Sequence, residues 1–235
     1  MNLVPLKRTG PEMLDLPPER YTPEELEGSL ADIRTVNRYL GDLSAVLRHL
    51  SSRVAGSSSF TLLDIATGSA DIPVAIVDWA RKKGIRVAIT AVDLNPQSVE
   101  VARKRTGGYP EIEVAVADGL ALPFLDGSFD FVLCSKTAHH FEDQLVVRLI
   151  SEMVRVAGRG YILMDIRRSW VAYALIYLLT RICTRNRLTR CDGPLSVLKA
   201  FTPAELADLA LSAGAAHFTL TREPFWLLVL QGDRA

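Results

Sequence analysis

Apolar residues recur at Leu26, Leu30, Ile33, Val36, Leu40, Leu43, Val46, Leu47 and Leu50, the spacing of one or two amphipathic helices with Gly41 as the place for a break. Thr22-Pro23-Glu24-Glu25 opens this stretch as a capping box with proline in the first helical position. The serine and glycine cluster at 51–59 then separates it from a different pattern. From Phe60 onward, short apolar runs at 60–65, 86–92, 112–117, 129–134 and 161–164 alternate with helical spacing at 72–82, 96–105 and 141–156. That alternation predicts a parallel sheet with helices on both faces. The stretch 167–200 interrupts it, because the ten residues from 170 to 179 are all apolar and Arg181, Arg185, Arg187 and Arg190 follow. A second capping box, Thr202-Pro203-Ala204-Glu205, opens a last helix, and 216–220 with 225–230 predict a closing antiparallel hairpin. Residues 1–20, with Pro5, Pro11, Pro17 and Pro18, predict an extended or partly ordered arm without functional signal.

Composition narrows the class. The chain of 235 residues is 49% hydrophobic, enough for a substantial core, and Lys plus Arg balance Asp plus Glu at 27 each. A net charge of zero gives no general attraction to nucleic acid or an anionic membrane. Cys134, Cys183 and Cys191 form no C-x-x-C pair, which argues against a disulfide framework and a zinc site. With no leader pattern and no run of about 20 apolar residues, the expectation is a cytoplasmic protein.

In a parallel sheet all strand C-termini share one edge, so Asp64, Asp93 and Asp118 converge there with the residues after Cys134. The turn after the first strand, Ala66-Thr67-Gly68-Ser69-Ala70, leads into a helix that Asp71 is expected to cap. Aligned with the dinucleotide fingerprint G-x-G-x-x-G, the three positions are Ala66, Gly68 and Asp71, so a carboxylate stands where a pyrophosphate should sit. A ligand with an adenosine end, an ammonium and a sulfonium would instead find Asp64 and Asp71 favourable. S-adenosylmethionine has that charge pattern.

Leu63-Asp64-Ile65-Ala66-Thr67-Gly68-Ser69-Ala70 resembles the first motif of the class I S-adenosylmethionine-dependent methyltransferases. Ala91-Val92-Asp93-Leu94 is similar to their ribose motif and Val116-Ala117-Asp118-Gly119 to their adenine motif. The run from Leu122 to Asp130 resembles the small-molecule branch that includes quinone-pathway enzymes. The family's usual first and third glycines are Ala66 and Ala70 here. The resemblance implies a Rossmann-like α/β fold: a seven-stranded, mostly parallel sheet with helices on both faces, a C-terminal antiparallel hairpin and an N-terminal helical cap. Residues 1–57 would form the arm and cap, and 58–235 the methyltransferase domain with an insertion at 167–200. It further implies that Ala66, Thr67 and Gly68 pass beneath the cofactor's methionine end near Ser135, that Asp93 and Leu94 hold ribose, and that Asp118 with Gly119 meets adenine.

His139 and His140 follow the fourth strand, where the family places the transferable methyl and its acceptor. An imidazole there can deprotonate a phenol or enol, or simply pack the next helix. Being adjacent, the two rings are expected to point to different sides, and no third ligand at useful spacing supports a metal. The expected function is O-methylation, or less readily C-methylation, of a small hydrophobic phenolic, quinone-like or polyketide-like acceptor, leaving S-adenosylhomocysteine. A non-catalytic S-adenosylmethionine-binding regulatory or assembly protein is the reading from another class. A nucleic-acid methyltransferase is weaker, since Cys-Ser-Lys-Thr replaces Asn-Pro-Pro-Tyr after strand four and no Pro-Cys nucleophile is present. Acceptor choice is expected from residues 22–50 and 167–200, including Arg34, Asn37 and Arg38. The apolar segment within 167–190 fits a pocket wall, ordinary core or a peripheral membrane contact.

Overall fold

The computed structural model describes residues 4–234. Helices α1 (Pro23–Tyr39) and α2 (Asp42–Arg53) precede the alternating region, which runs β1 (Ser59–Ile65), α3 (Asp71–Lys83), β2 (Arg86–Asp93), α4 (Pro96–Thr106) and β3 (Ile112–Val116). It continues through β4 (Phe129–Ser135), α5 (Asp143–Val156) and β5 (Ala157–Ile166), then α6 (Trp170–Cys183), α7 (Arg187–Lys199), α8 (Pro203–Ser212), β6 (Phe218–Glu223) and β7 (Leu227–Asp233). The seven strands form one sheet in the order β3-β2-β1-β4-β5-β7-β6. The first five are parallel, and β7 runs antiparallel to both neighbours. This is the α/β architecture expected from the alternation, including the closing hairpin.

Sequence chemistry accounts for the element ends. Thr22 and Thr202 both complete capping boxes, and Asn95 caps α4 by accepting from the Gln97 N–H. Gly41, at φ +90°, breaks the first helical stretch. Strand β5 is longer than its apolar run because Ala157-Gly158-Arg159-Gly160 opens it. A side chain at Gly160 would meet the Gly232 carbonyl at 2.6 Å, so the glycine marks close backbone approach rather than a turn.

Alternating strand residues feed two apolar layers. One joins α2, α3 and α4 to the sheet through residues such as Leu50, Ile76, Val99, Leu62 and Phe131; the other joins α5 and α8 through Leu149, Leu206, Leu63 and Val132. A third cluster, Tyr21, Leu26, Leu30 and Leu188, binds α1 to α7 across the C-terminal edge of the sheet. The insertion and the N-terminal helix therefore make a shared cap. Among the described residues, no helix is long and apolar enough to cross a membrane.

Two local expectations are corrected. The N-terminal arm is not merely extended: it makes short helical turns at Met13–Asp15 and Pro18–Arg20, and the Met13 and Leu14 N–H groups donate to Asp192 of α7 at 2.8 and 3.1 Å. Its partners lie far away in sequence, beyond the reach of local periodicity. Asp71 is also not the cap of α3. Ala70 occupies the N-cap in left-handed backbone, while the Asp71 side chain turns to Asn37.

Ala66 and Ala70 both lie at φ +56°, as does Gly68. Each alanine there costs about 1–2 kcal/mol of backbone strain that glycine escapes, partly offset by glycine's larger entropy loss on folding. Ala66→Gly and Ala70→Gly should each raise the thermal midpoint by roughly 1–3 °C in differential scanning calorimetry. A fall at both positions would show that the methyl contacts outweigh the strain.

Candidate active site

The strand register fixes the rim. Ile65 lies between Val92 and Cys134, so the next residue along each chain segment, Ala66, Asp93 and Ser135, emerges at the same edge. The Thr67 N–H donates to the Val92 carbonyl at 2.9 Å and the Lys136 N–H to that of Met164 at 2.7 Å, extending the ladders into the turns. These turns form the floor of a cavity of about 1380 Å³, walled by the arm, α1, α6 and α7. Asp64, Ala66, Thr67, Gly68, Asp71, Asp93, Leu94, Ser135, His139 and His140 all line it. Asp118 and Gly119 lie outside the lining; Asp118 is exposed and accepts the Leu120 N–H, while Gly119 packs so closely that a side chain would meet Ile65 at 2.7 Å.

Carboxylates dominate the floor. Asp93 accepts the Gly68 N–H on one oxygen and the Asn95 N–H on the other, both at 2.9 Å, which leaves each oxygen a further lone pair. Burial pushes the Asp93 carboxyl above its usual range despite these bonds. Asp64 is 3% exposed, and burial, reinforced by the charges of Asp71 and Asp93, pushes its carboxyl up to about 7. The hydroxyls of Thr67 and Ser135 are buried without hydrogen-bond partners.

A polar chain ties this floor to the cap. Asn37 of α1 donates to Asp71 at 3.0 Å and accepts from Lys136 at 3.0 Å, and Lys136 pairs with the buried Asp42 at 2.7 Å. Asn37 is thus a buried link; Arg34 and Arg38 do not line the cavity.

The histidines occupy the opposite corner. They belong to a short helical turn, Ala138–His140, that brings the two rings together with centroids 4.5 Å apart and planes tilted by 32°, so both face the same side rather than different sides as expected. Asp165, at the end of β5, holds His139: Nδ1 lies 2.6 Å from one carboxylate oxygen, and the backbone N–H donates to the other. Burial alone would raise the Asp165 carboxyl, but His139 and the Ile166 N–H hold it below its usual value. Asp15 holds His140 Nδ1 at 2.6 Å. Burial opposes the imidazolium at His140, yet the Asp15 bond and Glu12 charge win and raise its pKa.

Sequence reading missed Glu12, Asp15, Asp165, Lys136 and Lys199. Asp165 carried a signal, since it ends a parallel strand just as Asp64 and Asp93 do. Glu12 and Asp15 carried none, because the arm reaches the rim through tertiary contacts, with Asp192 of α7 and with His140.

Residues 63–164 match the sequence model of a methyltransferase domain. Among curated proteins, the demethylmenaquinone methyltransferase of Bacillus velezensis is 34% identical over 100 residues, 42% of this chain and 41% of that protein. The ubiquinone/menaquinone biosynthesis C-methyltransferase UbiE of Rickettsia akari is 34% identical over 73 residues, covering 30% and 29% of the two chains. The matched stretch spans about two-fifths of the first of these relatives. A SAM-dependent methyltransferase from Aquifex aeolicus shares the fold with a TM-score of 0.64 at 16% identity, over 92% of this chain and all of that one. The magnesium protoporphyrin IX methyltransferase of Synechocystis, solved with bound SAH, does so with a TM-score of 0.59 at 15% identity, over 84% of each chain. Residues 63–164 are thus similar to a methyltransferase domain, set in the fold of solved SAM-dependent methyltransferases. Over that segment the chain is similar to proteins named as demethylmenaquinone and ubiquinone/menaquinone methyltransferases.

The Asp64 environment has a measurable consequence. Folding raises its pKa from 3.8 to about 7, so between these values the folded state retains a proton that the unfolded chain releases. The contribution is fully present below pH 3.8 and is lost as pH rises through about 7, amounting to at most about 4 kcal/mol. Urea denaturation at pH 4.5 and 7.5 should therefore show a smaller loss of stability with rising pH in Asp64→Asn than in the parent. Equal losses would rule out the assigned protonation.

Proposed function

We propose that this chain transfers a methyl group from S-adenosylmethionine to a small hydrophobic phenolic, quinol-like or polyketide-like acceptor. The observation that carries this reading is the set of carboxylates, Asp64, Asp71 and Asp93, gathered around one turn at the sheet edge and opening into a largely apolar cavity. That floor suits an ammonium and a sulfonium better than phosphates. The unpartnered hydroxyls of Thr67 and Ser135 and the spare lone pairs of Asp93 are further polar groups that such a ligand would satisfy. When bound, S-adenosylmethionine supplies a methyl group already activated on sulfur. Asp64 and Asp71 complement its cationic end, Ala66, Thr67 and Gly68 pass beneath it, and Asp93 with Leu94 takes the ribose. The adenine role of Asp118 and Gly119 rests on the motif resemblance alone.

The chain's own contribution is alignment, exclusion of water and removal of a proton from the acceptor. The cap covers the rim, with the 1–57 segment and the 167–200 insertion selecting the acceptor above the 58–235 domain. The His139–His140 corner activates the acceptor by helping to strip its hydroxyl proton, with Asp165 and Asp15 fixing the rings. A phenolate or enolate is nucleophilic at oxygen and at the neighbouring carbon. Oxygen is the product expected from the sequence, and similarity to proteins named as quinone C-methyltransferases supports carbon as the second reading.

Titration calorimetry should detect S-adenosylmethionine binding, and Asp93→Ala should weaken it roughly tenfold to a hundredfold while leaving the fold intact. Turnover on a panel of phenols and quinols, with the methylated atom located by NMR, then identifies the reaction. Absence of binding at millimolar cofactor would sink the reading, and binding without turnover on any acceptor would favour the regulatory alternative.

Helix α6 extends the proposal to a membrane surface. Only Ala172 and Thr180 are buried in it, while Trp170, Val171, Tyr177, Leu178 and Ile182 are exposed, Ile182 by 72%. The stretch 167–191 contains no acidic residue, and Arg181 and Arg185 are exposed beside the apolar surface. Since Leu175, Ile176 and Leu179 also line the cavity, a bilayer contact would deliver a greasy acceptor directly to it. We infer a cytoplasmic protein that visits this surface, in keeping with three unpaired cysteines. Cosedimentation with anionic vesicles should be several-fold greater than with neutral ones and should fall in Leu178→Glu/Ile182→Glu. Equal recovery of parent and variant would remove α6 from the contact.

A further inference from the structure

The Glu12–His139–His140 corner contains an arrangement that proton transfer alone leaves unexplained. Glu12 is 2% exposed, and its Oε1 is buried without a hydrogen bond. His139 Nε2 stands 3.7 Å from Oε1, and His140 Nε2 stands 3.8 Å from Oε2. One ligand atom from each of the three residues lies within 4.8 Å of the others. Both Nδ1 atoms are bonded to carboxylates at 2.6 Å, which places the proton of a neutral ring on Nδ1 and leaves an electron pair on Nε2. Two nitrogen lone pairs thus face a carboxylate. Protonated rings would pair with Glu12 through charge alone, because 3.7–3.8 Å is beyond hydrogen-bonding distance.

Charge leads to the same place. Glu12, Asp15, Asp165 and Asp192 surround the corner, whereas the amine that reaches it is Lys199, 3.5 Å from Glu12 and 3.4 Å from Asp15. With both rings neutral, Lys199 alone stands against four carboxylates, which leaves a deficit of positive charge.

We propose that Glu12, His139 and His140 bind one divalent transition-metal ion, with zinc the best match to two imidazoles and a carboxylate. A tetrahedral zinc ion with bonds of about 2.0–2.1 Å sets its ligand atoms roughly 3.3 Å apart, so the corner closes on it by small side-chain movements. Asp165 and Asp15 are the outer carboxylates that orient the rings and increase their basicity. All three ligands line the cavity, which leaves the remaining coordination position to an acceptor oxygen or water.

Its role rests on the methyl-transfer reading. With both Nε2 lone pairs on the ion, the corner acts on a phenolic or enolic oxygen through the ion, which lowers that oxygen's pKa so that its proton leaves to water at the open side of the cavity. The resulting electron pair forms the bond to the methyl carbon from oxygen or the adjacent carbon, while the sulfur–methyl bond breaks and its pair returns to sulfur. A ring carbon that is methylated then loses its own proton to restore aromaticity. Metal binding itself does not depend on this chemistry.

The full-length chain, stripped with chelator and dialysed, should take up one equivalent of zinc by mass spectrometric metal analysis, with micromolar or tighter affinity by calorimetry. Cobalt loading should give the visible bands of a four- or five-coordinate site. Glu12→Gln, nearly isosteric and checked for folding by circular dichroism, should weaken zinc by at least tenfold, and Asp15→Asn by tenfold to a hundredfold. His139→Ala and His140→Ala should abolish uptake. Less than a tenth of an equivalent in the parent, or uptake unchanged in Glu12→Gln and both histidine variants, would overturn the site. Methyl transfer by a chain that takes up no metal would overturn this proposal and keep the proposed function. Zinc uptake lost in the variants, with no turnover on any acceptor, would keep the site and remove the function.

Discussion

Buried negative charge at the C-terminal edge of the sheet is the constraint around which the molecule is arranged. The chain as a whole is neutral, yet Asp42, Asp64, Asp71, Asp93, Asp165, Asp192 and Glu12 gather within the sheet edge and its cap. Removing carboxylates from water is expensive unless each finds donors or a counter-ion. The structure answers with backbone N–H groups at Asp93 and Asp192, a lysine at Asp42, an imidazole at Asp165 and retained protonation at Asp64. What these answers leave over is capacity for cations from outside, on the floor and in the histidine corner separately.

That constraint also explains how the cap is attached. Apolar contacts among Tyr21, Leu26, Leu30 and Leu188 hold the cap together, but its register on the sheet is set by polar links, Asn37 to Asp71 and Lys136, and Asp15 to His140. Directional bonds specify position where apolar packing alone would tolerate sliding. The cavity consequently has a fixed floor and a wall whose polar points are pinned, while the apolar α6 carries few buried residues and forms its least anchored side.

The alternating core could be read from the chain because its signals are local: apolar runs of strand length, capping boxes, proline at helix starts and an acid at the ends of the first two strands. Asp64 and Asp93 were found in this way, and Asp165 obeys the same rule. The histidine corner resisted because its geometry is made by tertiary contact. Adjacent residues suggest divergent side chains, but a tight helical turn and two separate carboxylate anchors bring the rings together instead. Glu12 was invisible for a related reason, since a proline-rich arm shows no periodicity and its docking partner lies 180 residues downstream.

The two alanines in the first turn gain meaning from this arrangement. Both occupy left-handed backbone that glycine would adopt more easily, so the turn is held by its surroundings rather than by its own preference. The Gly68 N–H bond to Asp93 and the Thr67 N–H bond to Val92 supply that hold. A strained turn fixed by hydrogen bonds to the neighbouring strand keeps its backbone close beneath the cavity without depending on flexible glycines. The same carboxylate that shapes the turn also faces the cavity, so floor geometry and ligand recognition are joined in one side chain.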